Sequence, residues 1–193
     1  MSQQVARLLA FAGSARRESW NRKLLAHAVQ GARHAGAEVT WIELRDFELP
    51  LYDGDLEAGN FPAGAVKLRE LLVAHQGLLL ACPEYNGGIA PLLKNSIDWM
   101  TRGPGARADP SLFPGKLAAL CSASVGPLGG MRGLRWVREL LNNLGVTVLA
   151  TQFTLGSAHK AFDASGALVD GGQARNIAAL GADLAAFVAA RAR

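Results

Sequence analysis

The stretch Leu8–Leu25, LLAFAGSARRESWNRKLL, limits more than any other what this chain can become. Leu8 to Ala12 is an apolar run with no polar break, the pattern of a strand buried on both faces. Gly13 and Ser14 end it, and amphipathic residues resume at Leu24. Between them lie Ser14, Arg16, Arg17, Ser19 and Asn21. α/β proteins build anion sites from a strand, a short polar loop and a helix start. The helix N-terminus leaves N–H groups unpaired, and its dipole favours negative charge. Arg16 can add a bidentate, charge-assisted contact, and Ser14, Ser19 and Asn21 offer neutral donors. The competing reading is a plain helix cap by Ser19 or Asn21 with solvated arginines. It needs one polar residue where the loop supplies five. Neither GxGxxG nor GxxxxGK[ST] is present, which argues against a dinucleotide fingerprint and a P-loop. The expected ligand is the single terminal phosphate of a mononucleotide.

Strand and helix signals alternate along the rest of the chain, as in a parallel sheet covered on both faces. Helices are expected at Asn21–Ala35, Ala63–His75, Pro91–Thr101, Gly129–Leu144 and Gly171–Ala190. Further strands are expected at Glu38–Leu44, Gly77–Cys82, Lys116–Ser122 and Val146–Ala150. Arg45–Pro62 reads as a long irregular loop, Arg102–Pro114 as a Gly/Pro-rich excursion, and Gly156–Gly172 as polar surface. The 193 residues fit one domain, 1–193, with a substantial core. Five strands with crossover helices and no second nucleotide-binding half define a flavodoxin-like, doubly wound α/β fold. Ligands in such sheets sit beyond the carboxyl ends of the strands at the switch point, so the loops after strands one, three and four should carry the chemistry.

The loop after strand three is Pro83–Glu84–Tyr85–Asn86–Gly87–Gly88. Its glycines allow successive N–H groups to face a ligand edge, and Tyr85 offers a flat apolar surface with a polar tip. A flavin ring needs stacking area together with donors and acceptors along its rim. The plainer reading is a strand-to-helix turn, since Asn-Gly is a common turn pair. The loop after strand four, Ser122–Gly130 (SASVGPLGG), is again small, polar and glycine-rich.

These segments together resemble the NAD(P)H-dependent FMN reductases. Gly13–Asn21 is similar to that family's GSxRxxSxN loop, Pro83–Asn86 to its PEYN loop, Leu93–Trp99 to its LKNAIDW helix and Gly126–Arg132 to its glycine-rich fourth loop. The order and spacings agree from about residue 7 to the C-terminus. The resemblance implies a homodimer or homotetramer with one FMN per subunit at the dimer interface, in a group that includes flavin, quinone, azo-dye and chromate reductases. By matching position it implies that Ser14, Arg16, Ser19 and Asn21 hold the FMN phosphate. Pro83, Glu84, Tyr85, Asn86 and Gly87 would line the isoalloxazine, Glu84 through its backbone, with Ser124 and Gly126 approaching from the other side. Subunit contacts would use the Pro91–Thr101 and Gly129–Leu144 helices. Gly87 and Gly88 stand where some relatives carry bulkier residues, which implies a more open pocket above the flavin.

The co-substrate expected is NADPH or NADH, and the partner a small-molecule electron acceptor. Bound FMN carries such chemistry, so no catalytic side chain and no metal ligand is assigned. His27, His34, His75 and His159 read as helix-surface or loop residues, and Trp99 and Trp136 as core or subunit packing. The two cysteines, Cys82 and Cys121, lack a CxxC or metal spacing and read as buried small hydrophobes. The net charge is +4 with scattered arginines and no aromatic-interleaved basic stripe, which favours anionic small molecules over nucleic acid. No membrane span and no signal-peptide pattern is found, so a cytoplasmic protein is expected. The alternative is an FMN-binding electron carrier or redox-sensing interaction protein without NADPH turnover. A carrier is usually acidic, and a pI of 9.4 counts against it.

Overall fold

In a computed structural model that describes residues 5–105 and 107–191, the expected alternation folds into one five-stranded parallel sheet. The strands are β1 (Arg7–Ala12), β2 (Glu38–Glu43), β3 (Gly77–Ala81), β4 (Leu117–Ala123) and β5 (Thr147–Leu155), in the order β2-β1-β3-β4-β5. Leu8 lies opposite both Val39 and Gly77, and Leu78 opposite Ala118. β3 and β4 are buried along their whole length, which is why their sequences run apolar instead of alternating. The order reverses between β1 and β3, so the switch point falls beside the loop after β1.

Two helices cover one face, α1 (Trp20–His34) and α7 (Gly171–Arg191). They meet backbone to backbone. A Cβ on Gly31 would lie 2.0 Å from Ala178 O, and one on Gly181 1.9 Å from Ala28 O. On the other face α3 (Ala63–Ala74), α4 (Pro91–Met100) and α5 (Met131–Asn143) bury Leu68, Leu72, Leu93, Ile97, Leu134 and Val137 against Leu9, Phe11, Leu78 and Leu80.

Four expectations need correction. Residues 45–62 are not irregular. They hold a 3-10 turn (Leu44–Phe47) and a short helix α2 (Gly54–Gly59), and α4 straps them down: Trp99 Nε1 and Asn95 Nδ2 each donate to Pro50 O at 2.8 Å, and Tyr52 N–H donates to Asn95 Oδ1 at 2.8 Å. Beneath the strap Glu57 is 1% exposed and accepts from Arg102 Nε on both oxygens at 2.9 Å and from Tyr52 O–H at 2.7 Å. β5 runs to Leu155 instead of ending at Ala150, through an irregularity beside Ala118 and Leu120 that Arg138 fills by donating to Val148 O and Leu149 O at 3.1 and 2.6 Å. Residues 156–172 are not all surface. Ala158, which opens helix α6 (Ala158–Ala161), and Leu168 are core residues, and Phe162 stacks on Trp20 with ring centroids 5.8 Å apart. His75 is likewise buried. Its Nδ1–H donates to Leu71 O at 2.6 Å, which leaves Nε2 to accept from the Thr40 hydroxyl at 2.8 Å. Trp99 is a core residue and Trp136 is half exposed. No helix among the described residues is long and apolar enough to cross a membrane.

Candidate active site

Three loops at the carboxyl ends of β1, β3 and β4 converge on one cavity of about 180 Å³. The first leaves β1 at Gly13, whose N–H donates to Ala81 O at 2.9 Å and whose missing side chain admits Leu93: a Cβ there would sit 2.8 Å from Leu93 Cβ. Ser14 is buried and its hydroxyl accepts the Arg16 N–H at 3.3 Å. Ser19 caps α1, accepting the Arg22 N–H at 3.4 Å, while the first-turn N–H groups of Trp20 and Asn21 find no protein acceptor among the described residues. Arg22 braces the loop by donating to Arg17 O at 2.8 Å and pairing with Glu43 at 2.7 Å. Arg16 is exposed and has no ion pair among the described residues. A buried hydroxyl, a second hydroxyl, helix N–H groups and a guanidinium form a donor set, and the nearest carboxylates, Glu18 and Glu84, are paired with Lys23 and Arg132. Such a donor set has the chemistry to hold an anion.

Asn21 is placed differently from a free phosphate donor. Its side chain accepts the Ala123 N–H at 3.0 Å and donates to Ala123 O at 2.9 Å, so it ties the start of α1 to the end of β4.

The second loop is a tight hairpin, Glu84–Tyr85 against Gly88–Ile89. Asn86 (φ 52) and Gly87 (φ 78) form the turn, and their left-handed backbone is what an Asn-Gly pair provides. Gly88 has no positive φ, so its glycine identity is not required by the turn. Glu84 acts through its side chain and not only its backbone. One carboxylate oxygen accepts from Arg132 Nε and Nη2 at 2.9 and 2.6 Å, and the other accepts the Gly133 N–H at 3.1 Å. Burial pushes this carboxyl up, but the Arg132 guanidinium and the Gly133 N–H outweigh it and hold it below the ordinary carboxylate value.

The third loop runs from Ser124, whose N–H donates to Leu155 O at 3.0 Å, to Gly129 and Gly130 at positive φ. The Ser124 hydroxyl accepts the Gly126 N–H at 3.2 Å. Burial pushes the Cys121 thiol in β4 up to about 12 and raises that of Cys82, so both stay neutral packing residues.

Of the residues singled out in the sequence, Ser14, Arg16, Ser19, Asn21, Pro83, Glu84, Tyr85 and Ser124 line the cavity. Asn86, Gly87 and Gly126 lie in the same loops but outside the lining. Trp20, Ala123 and Val125 also line it. Trp20 stood inside the polar loop as its one aromatic residue, which was the available signal; nothing in local sequence marked Ala123 or Val125. Larger hollows exist, one of about 230 Å³ beside Gln76, Gly115, Leu117, Val188 and Arg191. That hollow sits at the amino ends of β3 and β4, away from the switch point and from any convergent donor set. No group of three or more His, Cys, Asp or Glu side chains able to hold a metal occurs among the described residues.

A parallel sheet with a donor-rich first loop and an aromatic hairpin at its switch point defines a flavodoxin-like α/β protein. Residues 6–160 match the family described as NADPH-dependent FMN reductase. The chain is 39% identical over 166 residues to an NAD(P)H-dependent FMN reductase of Pseudomonas aeruginosa, covering 85% of each chain. It is 33% identical over 168 residues to a quinone reductase of Pseudomonas putida, covering 86% of this chain and 87% of that one. Its backbone superposes on a flavoenzyme NAD(P)H:(acceptor) oxidoreductase from Paracoccus denitrificans with a TM-score of 0.80 at 25% identity, over 95% and 97% of the two chains. An archaeal flavodoxin shares the fold, with a TM-score of 0.60 at 11% identity, over 94% and 98% of the two chains. The chain therefore belongs to the NADPH-dependent FMN reductase family of oxidoreductases, whose cofactor is FMN and whose co-substrate is a reduced nicotinamide.

Proposed function

We propose that this chain binds FMN in the cavity at the ends of β1, β3 and β4 and uses it to pass reducing equivalents from NADPH or NADH to a small-molecule acceptor. The observation that carries the reading is the donor set at the start of α1: Ser14, Ser19, two N–H groups and the Arg16 guanidinium, the last three without a partner among the described residues, around one hollow. These groups would hold the phosphate. Pro83, Glu84 and Tyr85, with Asn86 and Gly87 behind them, would flank the ring from the hairpin side, and Ser124 and Gly126 from the other. When bound, FMN supplies the hydride acceptance and the electron delivery that no side chain here offers. The protein's own share is to orient. Arg16 fixes the anionic end, the capped hairpin presents Tyr85, and Trp20, braced by Phe162, closes the inner wall.

A quinone is the acceptor class favoured, because relatives carrying that name align over most of this chain. Free flavin, azo compounds and chromate remain the competing acceptors, and an FMN-binding carrier without turnover is the alternative outside the enzyme class. The reading includes a homodimer or homotetramer joined through α4 and α5, supported by the half-exposed Trp136 and Tyr85 on that side. The test is anaerobic absorption spectroscopy of the purified protein. A flavin band that bleaches with NADPH and returns when a benzoquinone is added supports the enzyme. A band that NADPH leaves intact supports the carrier, and failure to bind added FMN overturns the site.

A further inference from the structure

α5 begins badly for a helix. Its flanking residue Gly130 has φ 89 and no side chain; the Met131 N–H finds Leu128 O at 3.1 Å, but no neighbouring side chain caps the Gly133 N–H. Glu84, from an element 49 residues away, does so: its carboxylate takes the Gly133 N–H at 3.1 Å. The glycine at 133 lets the hairpin come close enough, since a Cβ there would sit 3.1 Å from Glu84 Cβ and 3.2 Å from Gly88 O. Arg132, one residue earlier, grips the other carboxylate oxygen through two N–H groups. The Glu84 side chain is 9% exposed while that of Arg132 is 63% exposed. The anion is thus the buried, committed partner, and the arginine reaches it from solvent.

The hairpin has two residues in each strand, and a two-stranded ribbon of that size does not hold its shape in water unaided. The loop from Ser124 to Gly130 is rich in glycine, and backbone bonds at Ser124 and Gly126 tie its first half to residues 155–158, while its second half leads into α5. We propose that Glu84 and Arg132 are a positioning pair that welds the Tyr85 hairpin to the first turn of α5 and to the glycine-rich loop before it, so that opposite walls of the cavity hold one fixed separation. The inference rests on FMN occupying that cavity. Both carboxylate oxygens of Glu84 are engaged by Arg132 and Gly133, so the pair acts through the walls it joins.

The test uses the full-length apoprotein and its FMN complex. Variants are Glu84→Ala, Glu84→Gln, Arg132→Met and the double variant Glu84→Ala/Arg132→Met. Amide hydrogen exchange on the apoprotein is followed at residues 85–89 and 125–133, FMN affinity by quenching of flavin fluorescence, and ring orientation by visible circular dichroism of the bound flavin. The pair predicts faster exchange in both segments together, FMN binding weakened at least about tenfold in Glu84→Ala, and an altered flavin dichroism. It also predicts partial recovery in Glu84→Gln, which keeps the acceptor for Gly133, and a double variant no worse than Glu84→Ala alone. If Glu84→Ala does not fold, Arg132→Met, a change at an exposed side chain, carries the same readings. Faster exchange confined to the hairpin, or additive losses in the double variant, overturns the coupling. Unchanged dichroism and affinity reduce the pair to an ordinary structural contact. Wild-type protein that binds no FMN refutes the functional reading instead, and the exchange measurement on the apoprotein still decides whether the two walls are joined.

Discussion

Asn21 separates two views of the first loop by experiment. Its side chain makes a reciprocal pair with the Ala123 peptide, both residues being 5% exposed. Asn21→Ala leaves a buried N–H and a buried C=O without partners, each worth about 1–3 kcal/mol when unmade. A water admitted to the truncated site restores part of this, so the expected loss is about 2–4 kcal/mol. In a domain of this length that corresponds to roughly 4–16 °C in Tm. Differential scanning calorimetry of the apoprotein is the assay, because without FMN a residue that serves only the phosphate has no thermal effect. Asn21→Asp keeps the bond to the Ala123 N–H but sets a carboxylate oxygen against Ala123 O, so its apoprotein Tm falls too. An alanine variant whose apoprotein melts within about 2 °C of wild type, while FMN binding drops, would refute the bridging role and return Asn21 to the phosphate.

Arg16→Ala should weaken FMN binding by about 1.5–3 kcal/mol, the scale of a hydrogen bond to a charged group, in a fluorescence titration; an unchanged dissociation constant removes Arg16 from the site. Gly31→Ala drives a methyl group toward Ala178 O, a backbone atom that cannot rotate away, so urea unfolding should show a loss of about 1–3 kcal/mol or more, and a gain would contradict the packing. Arg102 hydrogen bonds, working against burial and aided by the Tyr52 hydroxyl, hold the Glu57 carboxyl below its ordinary 4.5. Its contribution to stability is therefore complete above that value and lost as pH falls through the lower folded-state one. Glu57→Gln should flatten the acid limb of the stability profile, and an acid limb as steep as wild type places the proton uptake elsewhere.

The fold was legible because its signals are local. Unbroken apolar runs at Leu8–Ala12 and Gly77–Ala81 are too short for buried helices and are bounded by turn residues, so they read as strands buried on both sides. The site was legible through the same logic, since a polar loop between β1 and α1 must lie at the switch point. What escaped depends on partners far apart in sequence. The bond from Asn21 spans 102 residues and the Glu84 contacts span 48 and 49, and no periodicity announces which arginine will meet which carboxylate. The strap over α4 looked irregular because Pro50 O receives side-chain donors in place of a backbone ladder. β5 was cut short because its register shifts, and the strand resumes only beyond the residues that Arg138 steadies.

Both margins of the sheet end in an arginine. Arg33, in the last turn of α1, donates to Val39 O of β2 at 3.2 Å, and Arg138 of α5 occupies carbonyls of β5 at the other margin. An open edge strand is an invitation for a foreign strand to zip on, and these guanidiniums take acceptors that such a strand would need. Each comes from the helix that precedes the strand it guards, so the protection assembles in the same crossover that lays the strand down. Strand addition is thereby opposed at the Val39 carbonyl of one edge and at the Val148 and Leu149 carbonyls of the other.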